Sequence, residues 1–278
     1  MTGAALVLVA TPIGNLSELS PRAVEALAAA DLIACEDTRR TGRLLEHAGI
    51  AKPKLLVVND HTESAATRRV LAELDAGRTV AVVTDAGMPG ISDPGERLVR
   101  AAVSAGHRVS VVAGPSAAIA ALVVSGLSTG RFVFEGFLPR KGSGRTARLA
   151  SCATEQRTIL LYEAPHRVVA TIADLAAALG DQRRVVMVRE LTKLHEEVWR
   201  GSLGDARARV SEVTPRGEYV LVVEGAPEPS PATAEDVEAA LRAHLSAGAD
   251  RKTAVADVAR ELGVAKRVVY DASLRLTP

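Results

Sequence analysis

Apolar and polar positions along the first half of the chain alternate between two periods. Continuous apolar runs (ALVLVAT, DLIAC, KLLVV, TVAVVT and RVSVV) read as buried strands. The segments between them carry the helical period. Ser20 caps PRAVEALAAA, with Pro21 in the first position; RRTGRLLEHA closes at Gly49. A helix from about Thr62 to Ala76 closes at Gly77, and GERLVRAAVSA closes at Gly106. This order predicts a parallel sheet with helices on both faces. After GPSAAIAALVVSGL the strands crowd together: FVFEGFL, RTILLYEA, RVVMVREL, EEVWRGSL and GEYVLVVEG. The helix HRVVATIADLAAALG and another near Asp205 to Val213 interrupt them, and a mixed sheet is expected.

APEPSPAT, from Ala226 to Thr233, is the clearest linker, since its prolines exclude helix and ladder pairing. Three short helices follow. TAVADVAREL and VAKRVVYDASLRL, around Gly263, have the spacing of a helix-turn-helix. The expected organisation is an α/β domain over 1–126, a second over 127–226, and a linker with a small helical domain over 227–278.

The 278 residues are 47% hydrophobic but only 3% aromatic, so the cores are aliphatic. A net charge of +1 excludes polyanion binding through bulk charge and leaves room for a local basic patch. Cys35 and Cys152 sit in apolar segments and read as reduced core residues. The start of the chain reads as a strand rather than a signal peptide, and no apolar stretch spans a membrane. A soluble, cytoplasmic protein is expected.

The most informative segment follows TVAVV: Thr84-Asp85-Ala86-Gly87-Met88-Pro89-Gly90. In open α/β sheets small molecules bind beyond the carboxyl ends of the strands, and glycines there admit close approach of a ligand. Asp85 is the expected fixed acceptor. Ser92-Asp93-Pro94-Gly95 reads as the cap and first turn of the next helix, beginning at Asp93 and Pro94. Three more loops fall on the same predicted edge: Thr11-Pro12-Ile13-Gly14-Asn15, Glu36-Asp37-Thr38-Arg39-Arg40, and Gly114-Pro115-Ser116-Ala117. The last opens a helix whose free N–H groups suit a carboxylate or hydroxyl. Together the four loops predict a cleft.

Several chemistries are excluded by pattern. The first loop has neither G-x-G-x-x-G nor a phosphate-loop signature. The six histidines form no metal-binding spacing, so no metal is expected, and no G-x-S-x-G elbow occurs. His166 reads either as a helix cap or as a substrate contact. Arg189 to Glu197 reads either as a solvated hairpin turn or as a site in which Lys193, beside carboxylates, serves as a base or orients a hydroxyl. Arg140-Lys141-Gly142-Ser143-Gly144-Arg145 reads as a flexible basic loop suited to phosphate.

VATPIGNLSELSPRA, CEDTRRTGRLL, VVTDAGMPGISDPG, VVAGPSA, LYEAPHR, RELTKLHEE and GEYVLVVEG together resemble the ribosomal small subunit methyltransferase I family, of the tetrapyrrole-methylase fold superfamily. The resemblance runs in family order nearly to Gly225, and the C-terminal helices look like the family's appended domain. It implies a two-domain tetrapyrrole-methylase-like fold, with a parallel-sheet N-terminal domain and a mixed-sheet second domain. It also implies S-adenosylmethionine as methyl donor and 2′-O-methylation of a cytidine ribose in 16S rRNA of the small ribosomal subunit, near the decoding centre. A homodimer is implied, with cofactor between the two domains of each protomer. Carried over by position, Pro12, Asp85, Gly87, Met88, Ser116 and Ala117 would contact the cofactor, with Tyr162 and Leu191 from the second domain. Where tetrapyrrole-methylating relatives carry G-x-G-P-G and S-G-D-P, this chain has TPIGN and TDAG, which moves the substrate towards RNA.

On that reading Lys193 activates the ribose hydroxyl, Glu190 sets its charge state, and Asp37 is an alternative base. Arg39, Arg40, Arg43, Arg140, Lys141, Arg145 and Arg167 supply a positive field for RNA, with His166 beside it. Tyr162, Phe137 and Trp199 are the candidates for stacking. Arg251, Lys252, Lys266 and Arg267 flank the C-terminal turn, where RNA anchoring is favoured over packing alone. Two alternatives remain: a precorrin-type tetrapyrrole methyltransferase, and a non-enzymatic ligand-sensing regulator that binds DNA.

Overall fold

The computed structural model describes residues 4–51, 53–59, 62–228 and 232–276. The chain divides into two compact units, Met1–Ala226 and Pro227–Pro278. The linker prolines Pro229 and Pro231 lie outside the described residues.

The first unit opens with β1 (Leu6–Val9), α1 (Pro21–Ala28), β2 (Leu32–Cys35), α2 (Thr38–His47) and β3 (Leu55–Val57). It continues through α3 (Glu63–Asp75), β4 (Val80–Val83), α4 (Glu96–Ser104) and β5 (Val109–Val112). These strands form a parallel sheet in the order β3-β2-β4-β1-β5. Its alternating positions separate cleanly. Val7, Ile33, Ala81 and Val83 pack against Leu27 of α1 and Leu45 of α2. Leu6, Leu32, Val80 and Val82 pack against Val70 of α3 and Leu98 of α4. Both faces are covered, which is why the strands read as unbroken apolar runs.

After α5 (Ala117–Ser125) come β6 (Phe132–Phe137), α6 (Ser143–Thr154), β7 (Thr158–Glu163), α7 (Pro165–Leu179) and β8 (Arg184–Arg189). The unit ends with β9 (Glu197–Ser202), α8 (Leu203–Glu212) and β10 (Tyr219–Val223). The second sheet, β6-β7-β10-β8-β9, pairs β6 with β7 in parallel and the rest antiparallel. One face packs Ile159, Leu161, Met187 and Leu221 against Ile172 and Leu175 of α7 and Leu203 of α8. The other packs Leu160, Val186 and Val222 against Ala118, Ala121 and Leu122 of α5. Thus α5 leaves the end of the first sheet but belongs by packing to the second. Cys35 and Cys152 are free and buried.

Two local expectations need correction. The basic stretch 140–145 is not all loop: α6 begins at Ser143, and its buried residue Cys152 lies near its far end, so its start carries little apolar signal. The helix after the Asp85 loop begins at Glu96, not at Asp93 and Pro94. Gly95, at φ 132°, holds the position before it, and Ser92, in the preceding loop, is also left-handed at φ 60°.

The second unit is a three-helix bundle of α9 (Ala234–Ser246), α10 (Arg251–Glu261) and α11 (Lys266–Arg275). Val237, Leu241, Ala254, Val258, Val269 and Ala272 form its core. Thr233 and Asp236 make a reciprocal capping box on α9, and Asp250 caps α10. Among the described residues no helix is long and apolar enough to cross a membrane.

Gly225 closes the second sheet. A Cβ there would overlap the Gln156 carbonyl, while the next residue, Ala226, donates its N–H to Glu155 O at 2.5 Å. Gly225→Ala must displace backbone rather than a side-chain tip. We expect it to destabilise the first unit by about 1–3 kcal/mol, the range for inserting a methyl where none fits. A lower urea midpoint at unchanged slope is the readout, and an unchanged midpoint would show that the chain passes Gln156 more loosely.

Candidate active site

The loops after β1 and β4 are tied together. Thr11 N–H donates to Gly87 O at 2.9 Å, and Gly87 N–H returns to Thr11 O at 3.1 Å. The buried Thr11 hydroxyl also donates to Thr84 O at 3.2 Å. This knot fixes the floor of a cavity of about 410 Å³, within the range of small-molecule sites. Ile13, Gly87, Met88, Ser116 and Ala117 line it from the first sheet's carboxyl edge. Tyr162, His166, Leu191 and Lys193 face them from the second sheet. Pro12 is buried beside Ile13 and is not itself part of the lining.

Ser116, before α5, makes no side-chain cap bond, so the first turn is open to other partners. One is already present: Ala118 N–H donates to the Tyr162 hydroxyl at 3.3 Å. Phe134 and Phe137 meet the Tyr162 ring edge-on, with centroids 5.0 Å and 5.7 Å away. Phe137 lines the cavity, whereas Trp199 packs on the core with the Arg209 guanidinium 5.9 Å from its ring.

The acid that faces the cavity is Asp93, not Asp85. Asp85 pairs with Arg40 at 3.4 Å and is absent from the lining. Burial raises its carboxyl, with Arg40 opposing the shift. Asp93 does line the cavity, so its segment is more than a cap and first turn. Burial, reinforced by the charges of Glu36, Asp85 and Glu218, pushes the Asp93 carboxyl up to about 7. A cation placed beside it would reverse that shift.

Opposite stands Lys193. Its ammonium donates to Glu190 Oε1 at 2.9 Å and to Glu218 Oε2 at 2.7 Å. Burial alone would lower the lysine pKa, but the hydrogen bonds to Glu218 and Glu190 outweigh it and raise it. Burial would raise Glu190, yet the Glu218 N–H and Lys193 hold it below the usual carboxylate range. Lys193 is therefore an ammonium in the resting protein. Of the two roles open to it, orienting a hydroxyl fits; a free base does not. The turn that presents it is left-handed at two ordinary residues, Glu190 at φ 50° and Thr192 at φ 64°, a conformation that concentrates at functional sites. The lysine stem lies against Gly14, where any Cβ would run into Lys193 Cγ.

Other candidates separate into cleft and scaffold. Asp37 caps α2, accepting from Arg39 N–H at 2.8 Å and from its guanidinium at 2.9 Å. Arg39 draws its carboxyl down to about 2, which removes it as a base, and it does not line the cavity. Arg39 and Arg40 stand in the first turn of α2, paired with Asp37 and Asp85 but largely exposed. Arg140 and Lys141 are exposed just before α6. Arg145 is not a free RNA contact: it is partly buried against Asp174 at 2.7 Å and donates to the Thr171 hydroxyl at 3.1 Å. Arg167 is likewise structural, bound to the buried Glu163 at 3.1 Å and to the Leu138 carbonyl. Among the described residues no three His, Cys, Asp or Glu side chains gather as metal ligands would.

The family Tetrapyrrole (Corrin/Porphyrin) Methylases matches residues 5–207. A protein of Synechocystis sp. named ribosomal RNA small subunit methyltransferase I is 50% identical over 273 residues, covering 98% of each chain. The chain belongs to the ribosomal RNA small subunit methyltransferase I family. Like other members of this family it is a methyltransferase of the tetrapyrrole-methylase fold. The methyltransferase CobJ superposes with a TM-score of 0.62 at 21% identity, over 81% of this chain and 95% of its own. The Thermus thermophilus uroporphyrin-III C-methyltransferase complexed with S-adenosyl homocysteine superposes with a TM-score of 0.56 at 18% identity, over 80% and 97%.

Ile13 and Glu218 line the cavity without having been singled out as contacts, although Ile13 lies in one of the expected cleft loops and Glu218 in the segment GEYVLVVEG. Only the pairing of Tyr219 with both Glu163 and Arg189 brings Glu218 beside Lys193. Glu218→Gln removes one of the two carboxylates holding the ammonium. At about pH 8, where an ordinary lysine is mostly protonated, we expect acylation of Lys193 to quicken about threefold to tenfold, as follows from a fall of half to one pKa unit. Mass-spectrometric reaction rates at Lys193 would read this, and an unchanged rate would mean that Glu190 alone holds the charge.

Proposed function

We propose that this protein transfers a methyl group from S-adenosylmethionine to the 2′-hydroxyl of a cytidine ribose in 16S rRNA, near the decoding centre of the small ribosomal subunit. The observation that carries the reading is an apolar-floored cleft with a proton-holding acid on one wall and a fixed lysine cation on the other. The donor set fits S-adenosylmethionine. Asp93 suits its positive charge, and the open first turn of α5 at Ser116 and Ala117 suits its carboxylate. Ile13, Met88, Tyr162 and Leu191 offer apolar surface for its adenosine. When bound, the group supplies an electrophilic methyl on a sulfonium centre.

The chain's own residues do the rest. A ribose hydroxyl is a weak nucleophile, so catalysis here is positioning together with stabilisation of developing charge on oxygen. Lys193 points a cation at that oxygen and is kept charged by Glu190 and Glu218. The hydroxyl proton passes to a pocket carboxylate; Glu218, with 74% of its side chain exposed, is placed to release it to water. His166 and the exposed Arg140 and Lys141 meet the RNA. A homodimer suits the face of α5 turned from the second sheet, where Ile119 and Val123 are exposed. A small-subunit substrate places the activity in the cytoplasm.

Labelled S-adenosylmethionine and small subunits from a strain lacking the modification should give ribose label on one cytidine. Label confined to a base, or absent from every ribosomal particle, overturns the reading; transfer to a corrinoid precursor instead would favour the tetrapyrrole alternative. Lys193→Ala should lower kcat by about 100-fold or more, in the range of one lost charge-stabilising donor. Its affinity for the subunit should not change, and wild-type turnover would remove Lys193 from the mechanism.

The donor's affinity should also depend on pH. Free Asp93 keeps its proton up to about pH 7, and a cation prefers the ionised form. Binding therefore strengthens as pH rises through about 7 and levels off about one unit above it. Calorimetry from about pH 6 to about pH 8 should show this slope in the wild type, and weaker, flat binding in Asp93→Asn. A slope that survives in Asp93→Asn assigns the titration elsewhere.

A further inference from the structure

The second unit carries eight acidic and seven basic side chains among its described residues, a net formal charge of −1, but its charges are sorted. On α9, Glu235, Asp236 and Glu238 outnumber Arg242. On α11, Lys266, Arg267 and Arg275 outnumber Asp271. On the other two helices Arg242 pairs with Glu238 at 3.4 Å, His244 with Glu261 at 3.1 Å, and Arg260 with Asp257 at 3.2 Å, whereas Arg251 and Lys252 in the first turn of α10 form no ion pair among the described residues. Among the described residues Lys266 and Arg267 have no such partner.

The same helix exposes large side chains. Val269, Ala272 and Ser273 are buried in the bundle, whereas Tyr270 is 51% exposed and Leu274 is 56% exposed. Arg267, Tyr270 and Leu274 stand three and four residues apart, so they share one face. Ala265, before the helix, makes no side-chain cap bond, leaving the first-turn N–H groups beside Lys266 and Arg267 without a side-chain acceptor. A bundle of this size gains nothing by exposing an aromatic ring among unpaired cations. Such a face matches a polyanion that also offers flat apolar rings. A protein partner would call for a broader apolar patch, and duplex DNA would present phosphates without accessible base faces.

We propose that this face of α11 docks a single-stranded or looped RNA segment, with Tyr270 stacking on a base and Lys266 and Arg267 holding phosphates. In the full enzyme it would anchor the RNA substrate, a role that rests on the methyl-transfer reading above. The helix-turn-helix expected from the sequence then serves through the outer face of its second helix, on RNA rather than on a DNA groove.

The test uses the full-length protein as Lys266→Ala/Arg267→Ala, Tyr270→Ala and Tyr270→Phe, each checked for wild-type helix content. Binding to a fluorescent single-stranded RNA and to small subunits is followed across a salt series, alongside methyl-transfer kinetics. The double variant should weaken binding and flatten the dependence of log affinity on log salt by about 1.4, two phosphates at ~0.7 each. Tyr270→Ala should weaken binding about tenfold, and Tyr270→Phe, which keeps the ring, should bind like wild type. KM for the subunit should rise in both weakened proteins, while kcat and donor affinity stay put. Unchanged RNA affinity and salt slope in all variants would overturn the proposal, as would tighter binding to duplex than to single-stranded RNA. If the wild type binds RNA through this face but methylates none, the catalytic reading fails and the docking surface stands.

Discussion

Everything in the cleft depends on holding one ammonium, Lys193, between two carboxylates at the seam of two sheets. The partners are not equal. Glu218 is mostly in water, so its bond of 2.7 Å contributes about 0–1 kcal/mol, as exposed ion pairs do. Glu190 is largely screened from solvent and also accepts the Glu218 N–H at 2.9 Å, while its own N–H donates to Glu218 O at 3.0 Å. It therefore ties the end of β8 to the start of β10 as well as holding the charge. Left-handed backbone at Glu190 and Thr192 costs of order 1–3 kcal/mol per residue, and this crosslink, together with the Thr192 N–H bond to Glu196 at 2.7 Å, over-determines the turn. The strain and the charge network are one device: without the turn the lysine points elsewhere, and without the carboxylates the turn has no reason to persist.

The same constraint explains why the cleft suits a cation. Around one lysine stand Glu190, Glu218 and Asp93, with Glu36 and Asp85 behind, so negative charge exceeds positive. The protein relieves the excess in two ways. Arg40 takes up Asp85 outside the lining, and Asp93 keeps a proton to about pH 7. An acid pushed upward by burial and by like charges is a stored affinity for a positive ligand, released when that ligand arrives.

Much of this was legible in the sequence. The apolar runs announced a parallel sheet because both of its faces are buried, and the loops at its carboxyl edge announced a cleft by topology alone. Errors arose where local chemistry is ambiguous. Ser92-Asp93-Pro94 spells a helix start as readily as a pocket wall, and only Gly95 in the left-handed region delays the helix to Glu96. Asp85, Arg145 and Arg167 were plausible ligand contacts by type, but their nearest partners are internal: Arg167 meets Glu163 four residues away across the junction of β7 and α7, while Asp85 and Arg145 pair across tens of residues, which has no local signature. Glu218 was invisible for the same reason: its meaning comes from strand register in an antiparallel sheet.

One helix settles how far the cleft can move. The N-terminus of α5 lines the cleft and meets the Tyr162 hydroxyl, yet its body is core to the second sheet through Ala118, Ala121 and Leu122. Opening the two sheets as rigid bodies would either shear those residues off Leu160 and Val222 or stretch the short Ala113–Ser116 connection from β5. Close-packed interiors resist the first, and four residues have little slack for the second. That wall of the cleft is therefore preformed. The elements not clamped this way are the rim near Arg140 and Lys141, the exposed ring of Phe137 and the Lys193 turn. A scaffold that binds the donor rigidly and presents its chemistry on loops can change its acceptor without rebuilding its core, which is how one fold serves both tetrapyrrole and RNA chemistry.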